Sequence, residues 1–146
     1  MGDFMICTFF GHRDAPQGIE DTLRKILLDL IKSKKVNILY VGNQGDFDFM
    51  VKSVLKDLGA KYYVVLPYLP TKVDAFDSYD YTKTIFPDDL ETTPPKFAIS
   101  KRNLWLIEKS DIVVTYVTKT FGGAFTFKQQ AIKKGKTVIE LSDINI

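Results

Sequence analysis

The chain alternates short apolar runs with longer stretches in which apolar residues recur every three or four positions. Phe4–Phe10 (FMICTFF) is almost continuously apolar, the pattern of a strand covered on both faces. Gly11–Asp14 (GHRD) interrupts it. Ile19, Leu23, Ile26, Leu27, Leu30 and Ile31 then follow at helical spacing, with Asp14 placed to cap and Pro16 tolerated in a first turn. Val36–Val41 reads as a second strand, ended by Gly42–Asp46 (GNQGD). Asp46 can cap a helix carrying Met50, Val51, Val54, Leu55 and Leu58, which Gly59 stops. Lys61–Leu69 is a third strand. A helix runs from Pro95 to about Lys109, followed by a strand over Asp111–Val117. A last helix, from about Gly123 to Lys134, leads into the strand Thr137–Leu141. Residues 70–95 fit neither period: they are acidic, Tyr-rich and broken by prolines, and only Thr82–Phe86 is strand-like.

Strands that alternate with helices and are apolar enough to be covered twice predict an α/β fold. The expectation is one domain over residues 1–146: a Rossmann-like three-layer sandwich with a mainly parallel sheet of about five strands. The 70–95 segment is a long loop insertion, of a length usually reserved for function or mobility. Its Tyr79 and Tyr81, with Tyr68 just before it, can stack on a base as a lid, pack a dimer interface or cover a sheet edge. In such sheets ligands bind beyond the carboxyl ends of the strands. Three glycine-bearing segments fall at that edge: Gly11–Asp14, Gly42–Asp46 and Phe121–Thr126.

Composition narrows the chemistry. A chain of 146 residues, 45% hydrophobic and 26% charged, has the make-up of one globular domain. The net charge is +2, with lysines dispersed along the chain, which argues against a protein that tracks a phosphate backbone. One cysteine (Cys7) and one histidine (His12) leave no disulfide framework and argue against a zinc site, so no metal and no cofactor is expected. No run approaches the roughly 18 apolar residues of a membrane helix. The amino terminus lacks a secretory pattern, so the expected location is cytoplasmic, with no membrane partner.

The three loops carry the candidate site. In Phe121–Thr126 (FGGAFT), Gly122 and Gly123 let backbone N–H groups approach an anion at a helix amino end, and Thr126 can add a hydroxyl donor. The plainer alternative is a strand-to-helix turn in which glycine supplies only backbone angles. Gly42–Asp48 (GNQGDFD) has neither P-loop nor G-x-G-x-x-G spacing, yet Gly42, Asn43, Gln44 and Gly45 can cradle a phosphate or ribose. Asp46 can accept from a ribose hydroxyl or merely cap a helix, and Asp48 reads as an ordinary first-turn acid. In Gly11–Asp14, Arg13 can clamp a phosphate or carboxylate, or simply neutralise Asp14. His12 can act as a general acid or base, or as a structural hydrogen-bonder. The match to a kinase His-Arg-Asp loop is spurious, because the chain is too short and the later asparagine is missing. Arg102 and Asn103 lie on the helix that Phe97, Leu104 and Ile107 would pack; Arg102 can reach the site or sit on a solvated face beside Lys101. Trp105 can be core or can stack on a base.

Taken in order, CTFFGHRD, YVGNQGDFD, KRNLWLIEKSDIVVTYV and FGGAFT resemble the SLOG superfamily, which includes DprA-like (SMF) proteins, LOG phosphoribohydrolases and YpsA-like proteins. The likeness is nearest to the compact YpsA-like branch with its Gly-His-Arg turn. It extends over nearly the whole chain, with the 70–95 segment least matched. The resemblance implies a Rossmann-like fold that binds nucleotides or their derivatives at the carboxyl edge of the sheet, and makes a homodimer plausible.

LOG enzymes cleave the N-glycosidic bond of nucleoside 5′-monophosphates, and carry Pro-Gly-Gly-x-Gly-Thr-x-x-Glu after an Arg-Lys pair. On that pattern Arg102 falls on the arginine and Asn103 on the lysine, while Gly122, Gly123 and Thr126 match. Phe121 replaces the proline, Phe125 the third glycine, and Gln129 the glutamate. A glutamine cannot supply the charge that stabilises an oxocarbenium-like transition state.

The leading expectation is therefore a binder of an AMP- or ADP-ribose-like ligand, acting as a sensor or carrier. Its ligand contacts would be Gly11, His12, Arg13, Gly42, Asn43, Gln44, Gly45, Arg102, Asn103, Gly122, Gly123, Thr126 and Gln129. The alternative is a LOG-like nucleotide N-glycosidase with Arg102 and Asp46 as its catalytic residues. A third reading, single-stranded nucleic-acid binding as in DprA-like relatives, has dispersed charge against it.

Overall fold

The computed structural model describes residues 4–67, 84–87, 90 and 92–144. The tyrosines proposed as a lid or interface, Tyr68, Tyr79 and Tyr81, lie outside the described residues, as does most of the 70–95 segment.

The chain runs β1 (Ile6–Gly11), α1 (Glu20–Lys32), β2 (Ile38–Val41), α2 (Gly45–Asp57), β3 (Tyr63–Val65), β4 (Thr84–Ile85), α3 (Pro95–Lys109), β5 (Ile112–Tyr116), α4 (Gly123–Lys133) and β6 (Thr137–Glu140). The strands form one six-stranded sheet in the order β4-β3-β2-β1-β5-β6, parallel at every described pairing. The short strand expected within Thr82–Phe86 is real and forms an edge, which makes six strands where about five were expected.

Alternation along the strands explains the three layers. Cys7, Phe9, Leu39, Val41 and Val114 point to one face, where they pack with Leu23, Leu27 and Leu30 of α1 and Val51, Val54 and Leu55 of α2. Phe10, Val65 and Val113 point to the other, against Leu106 and Ile107 of α3 and Phe127 and Ala131 of α4. Both faces are covered, so the strands carry near-continuous apolar runs. The chain leaves β1 toward β2 and β3, then returns through α3 to the opposite side of β1. The crevice between β1 and β5 is the switch point at which such sheets bind ligands.

Several element ends differ from expectation. Asp14 does not cap α1, because a 3-10 turn at Gln17–Ile19 precedes that helix; it pairs instead with Lys119 at 3.7 Å. Asp46 is not the cap of α2 either: Gln44 holds that position. On α3 the buried positions are Ala98, Arg102, Leu106 and Ile107, while Phe97 and Leu104 are exposed. The stripe at 98, 102 and 106 faces the sheet, and Phe97 and Leu104 fall outside that stripe.

Candidate functional site

Beyond the carboxyl ends of β1, β2 and β5 lies an open cavity of about 600 Å3. Of the residues singled out in the sequence, Gly11, His12, Arg13, Gly42, Gln44, Arg102, Asn103, Gly122 and Gly123 line it. Asn43, Gly45, Asp46, Thr126 and Gln129 do not belong to its lining. Close contacts hold the three loops together. Gly45, at φ +87, lies so near Arg13 that a Cβ would be 2.7 Å from the Arg13 Cα. In that position the Asp46 N–H donates to the Arg13 carbonyl at 2.7 Å, which ties the β1 and β2 loops. Asp46 spends its backbone on this tie, and its side chain is exposed.

His12 ties the β1 loop to the β5 loop. The Thr118 N–H donates to His12 Nε2 at 2.9 Å, which makes that nitrogen the unprotonated one. The ring also stands edge-on to Tyr116. The geometry assigns His12 a structural bond. Thr126 likewise turns inward on its own helix: its hydroxyl donates to the Gly122 carbonyl at 3.0 Å. Gln129 lies farther along α4 and is exposed.

The amino end of α4 opens on the cavity. Gly122, at φ +93, is its N-cap; no side chain caps the first turn and no acidic residue lies within it. The N–H groups of that turn, with the helix dipole, favour an anion. Arg13 and Lys119 add positive charge to the same lining, offset in part by Asp14, which pairs with Lys119 there, and Phe121, 69% exposed, adds an apolar rim.

The opposite wall carries two buried charged groups. Arg102 is only 3% exposed, so it does not share Lys101's solvated face. Its Nη1 donates to the Val65 carbonyl at 2.8 Å and its Nε to Asn103 Oδ1 at 2.8 Å. Asp48 is 8% exposed and accepts the Gln44 N–H on Oδ2 at 2.9 Å. Burial raises its pKa from an ordinary 3.8 to about 6, against the opposing pull of the Gln44 N–H and the positive charges of Arg102 and Lys52. Gly42 leaves room for this pair: a Cβ there would sit 2.6 Å from Asp48 Oδ2 and 3.4 Å from Arg102 Nη1.

Asp48, and not Asp46, is thus the cavity's buried carboxylate. The signal was available. Asp48 is three residues before Val51 and seven before Leu55, on the apolar stripe of α2, where a charged residue is informative. Arg102 has the same signature between Ala98 and Leu106.

A second buried acid, Glu140, serves the framework. It accepts from Thr115 Oγ1 at 2.7 Å, the Val117 N–H at 3.0 Å, Lys128 Nζ at 2.8 Å and Ser142 Oγ at 2.7 Å. Burial alone would raise its pKa, but these donors outweigh burial and hold it below its ordinary value. The network locks β5, β6 and α4 beneath the loop that carries Lys119 and Phe121.

No protein-family model matches the chain, and none of the curated proteins does. Among solved structures, it is similar to DNA processing protein A (DprA) from Streptococcus pneumoniae, with a TM-score of 0.72 and 16% identity. The match covers 94% of this chain and 50% of that one. The two share a fold. The chain spans about half the length of that structure.

Proposed function

We propose that the cavity binds a nucleotide or nucleotide-derived ligand of the AMP or ADP-ribose type, and that the domain is a sensor or carrier of the SLOG superfamily's YpsA-like branch. One observation carries this reading: a single cavity joins an uncapped helix amino end at Gly122–Gly123, the cation Arg13, the Lys119–Asp14 ion pair, and the buried charges Asp48 and Arg102. Its volume falls in the range of small-ligand sites. The fold shared with DprA supports the superfamily.

The test is titration calorimetry with AMP and ADP-ribose on the wild-type chain and on Gly123→Asp. A Cβ at Gly123 meets nothing within 4 Å, and an acid in a first helical turn favours the helix, so this variant keeps its fold. Its carboxylate occupies the anion's place at an exposed position, and affinity should drop by about tenfold or more, the lower end of a like-charge contact across an interface. Unchanged affinity for both ligands would sink the reading. The DNA-processing role in DprA's name makes a single-stranded oligonucleotide the control, since its binding would weaken steeply with salt.

Asp48 favours one second reading, a nucleotide N-glycosidase. A carboxylate in the cavity can stabilise a ribosyl cation, the role Gln129 cannot fill. Adenine released from AMP in proportion to protein, and lost on Asp48→Asn, would establish it; AMP recovered intact after prolonged incubation would exclude it.

A further inference from the structure

Resting on the nucleotide-binding reading, we propose that Asp48 receives the vicinal hydroxyls of a ribose, so that the cavity selects 5′-phosphorylated ribosyl compounds over their 2′-deoxy counterparts. The two walls of the cavity make opposite electrostatic demands. Around Gly122–Gly123 the uncapped helix end and Arg13 favour an anion, with Lys119 beside them already paired to Asp14. Asp48 repels one. A carboxylate accepts hydrogen bonds and donates none when ionised, so the ligand group beside it must be a donor.

Sheet order sets the spacing. Asp48 follows β2 and Gly122–Gly123 follow β5, with β1 between these strands. Two strand spacings amount to roughly 10 Å. A 5′-phosphoribosyl group with a hydrogen bond at each end has a comparable span, so with the phosphate at α4 the next polar part of the ligand to reach Asp48 is the sugar edge.

Asp48 is built for this task. The Gln44 N–H fixes Oδ2, while Oδ1 takes no hydrogen bond among the described residues. Gly42 leaves open the space that any side chain there would take from the carboxylate. Arg102, itself held by Val65 and Asn103, supplies a fixed positive charge nearby.

The experiment is calorimetry at pH 7.5 with AMP, 2′-deoxy-AMP and ribose 5-phosphate, on the wild-type chain and on Asp48→Asn. Wild type should bind AMP about tenfold or more tightly than 2′-deoxy-AMP, because a site built around a hydroxyl rejects the analogue that lacks it. Asp48→Asn should bring that ratio close to one, chiefly by weakening AMP. Equal wild-type affinities would overturn the inference even if the variant failed to fold, and so would a ratio that survives the substitution; either leaves the nucleotide-binding reading standing. If wild type binds none of the three compounds, this inference falls, and if it does not bind ADP-ribose either, the nucleotide-binding reading falls with it.

Discussion

Asp48→Asn should stabilise the folded protein at neutral pH while leaving it nearly unchanged in acid. Asp48 is 8% exposed and its pKa rises from an ordinary 3.8 in the unfolded chain to about 6 in the fold. A folded group with a raised pKa contributes its full share of stability below the unfolded value, and loses it as pH climbs through the folded one. A rise of this size corresponds to about 3 kcal/mol, of which ~2 kcal/mol should survive the water in an open cavity. Asparagine carries no charge at any pH, and its Oδ1 can still accept the Gln44 N–H. Urea denaturation of both proteins at pH 3 and pH 7.5 isolates the effect, because the other titrating groups are common to both. The difference in unfolding free energy should be near zero at pH 3 and about 2 kcal/mol in favour of the variant at pH 7.5. A difference that does not change with pH, or a wild type more stable at pH 7.5, would refute the argument that burial of this carboxylate opposes folding. A stabilising substitution inside a cavity is the mark of a residue kept for function.

Two further outcomes test the framework around the site. Gly11→Ala would drive a methyl group into the fully buried Phe47 ring, 2.8 Å from Cδ1 and closer to Cγ and Cδ2. It should cost about 1–3 kcal/mol in denaturant unfolding, and Phe47→Leu in the same chain should recover part of that loss. Glu140→Gln removes the ion pair with Lys128 and weakens the bonds to Thr115, Val117 and Ser142, at a cost of about 2–4 kcal/mol at pH 7. Because Glu140's folded pKa lies below its ordinary value, its contribution is present above that value and disappears as pH falls through the folded one. The deficit of the variant should therefore shrink in strong acid.

The fold was legible in the sequence because its main signals are local. Apolar runs at Phe4–Phe10 and Asp111–Val117, against helical spacing from Ile19 to Ile31, report burial on two faces or one without reference to any partner. The short edge strand Thr84–Ile85 was legible only as a strand-like fragment, since two residues carry no period. The three loops at one sheet edge also followed from sequence, because parallel strands with helical crossovers bring their carboxyl ends together.

Which side chains enter the cavity was decided by tertiary structure. Asp46 and Asp48 are two residues apart on one helix, about 200° around its axis, so their exposure depends on how α2 is rotated against the sheet. Gly11 and Phe47 set that rotation by contact, and the Gly45–Arg13 approach anchors the helix start. The same logic turned Arg102 inward, left Phe97 and Leu104 exposed, and bound His12 to the Thr118 N–H. The sequence alone determined that three loops meet at the carboxyl edge of the sheet and which loops they are. The packing of α2 and α3 on the sheet determined that its buried charges are Asp48 and Arg102, because a helix has a face only once something covers it.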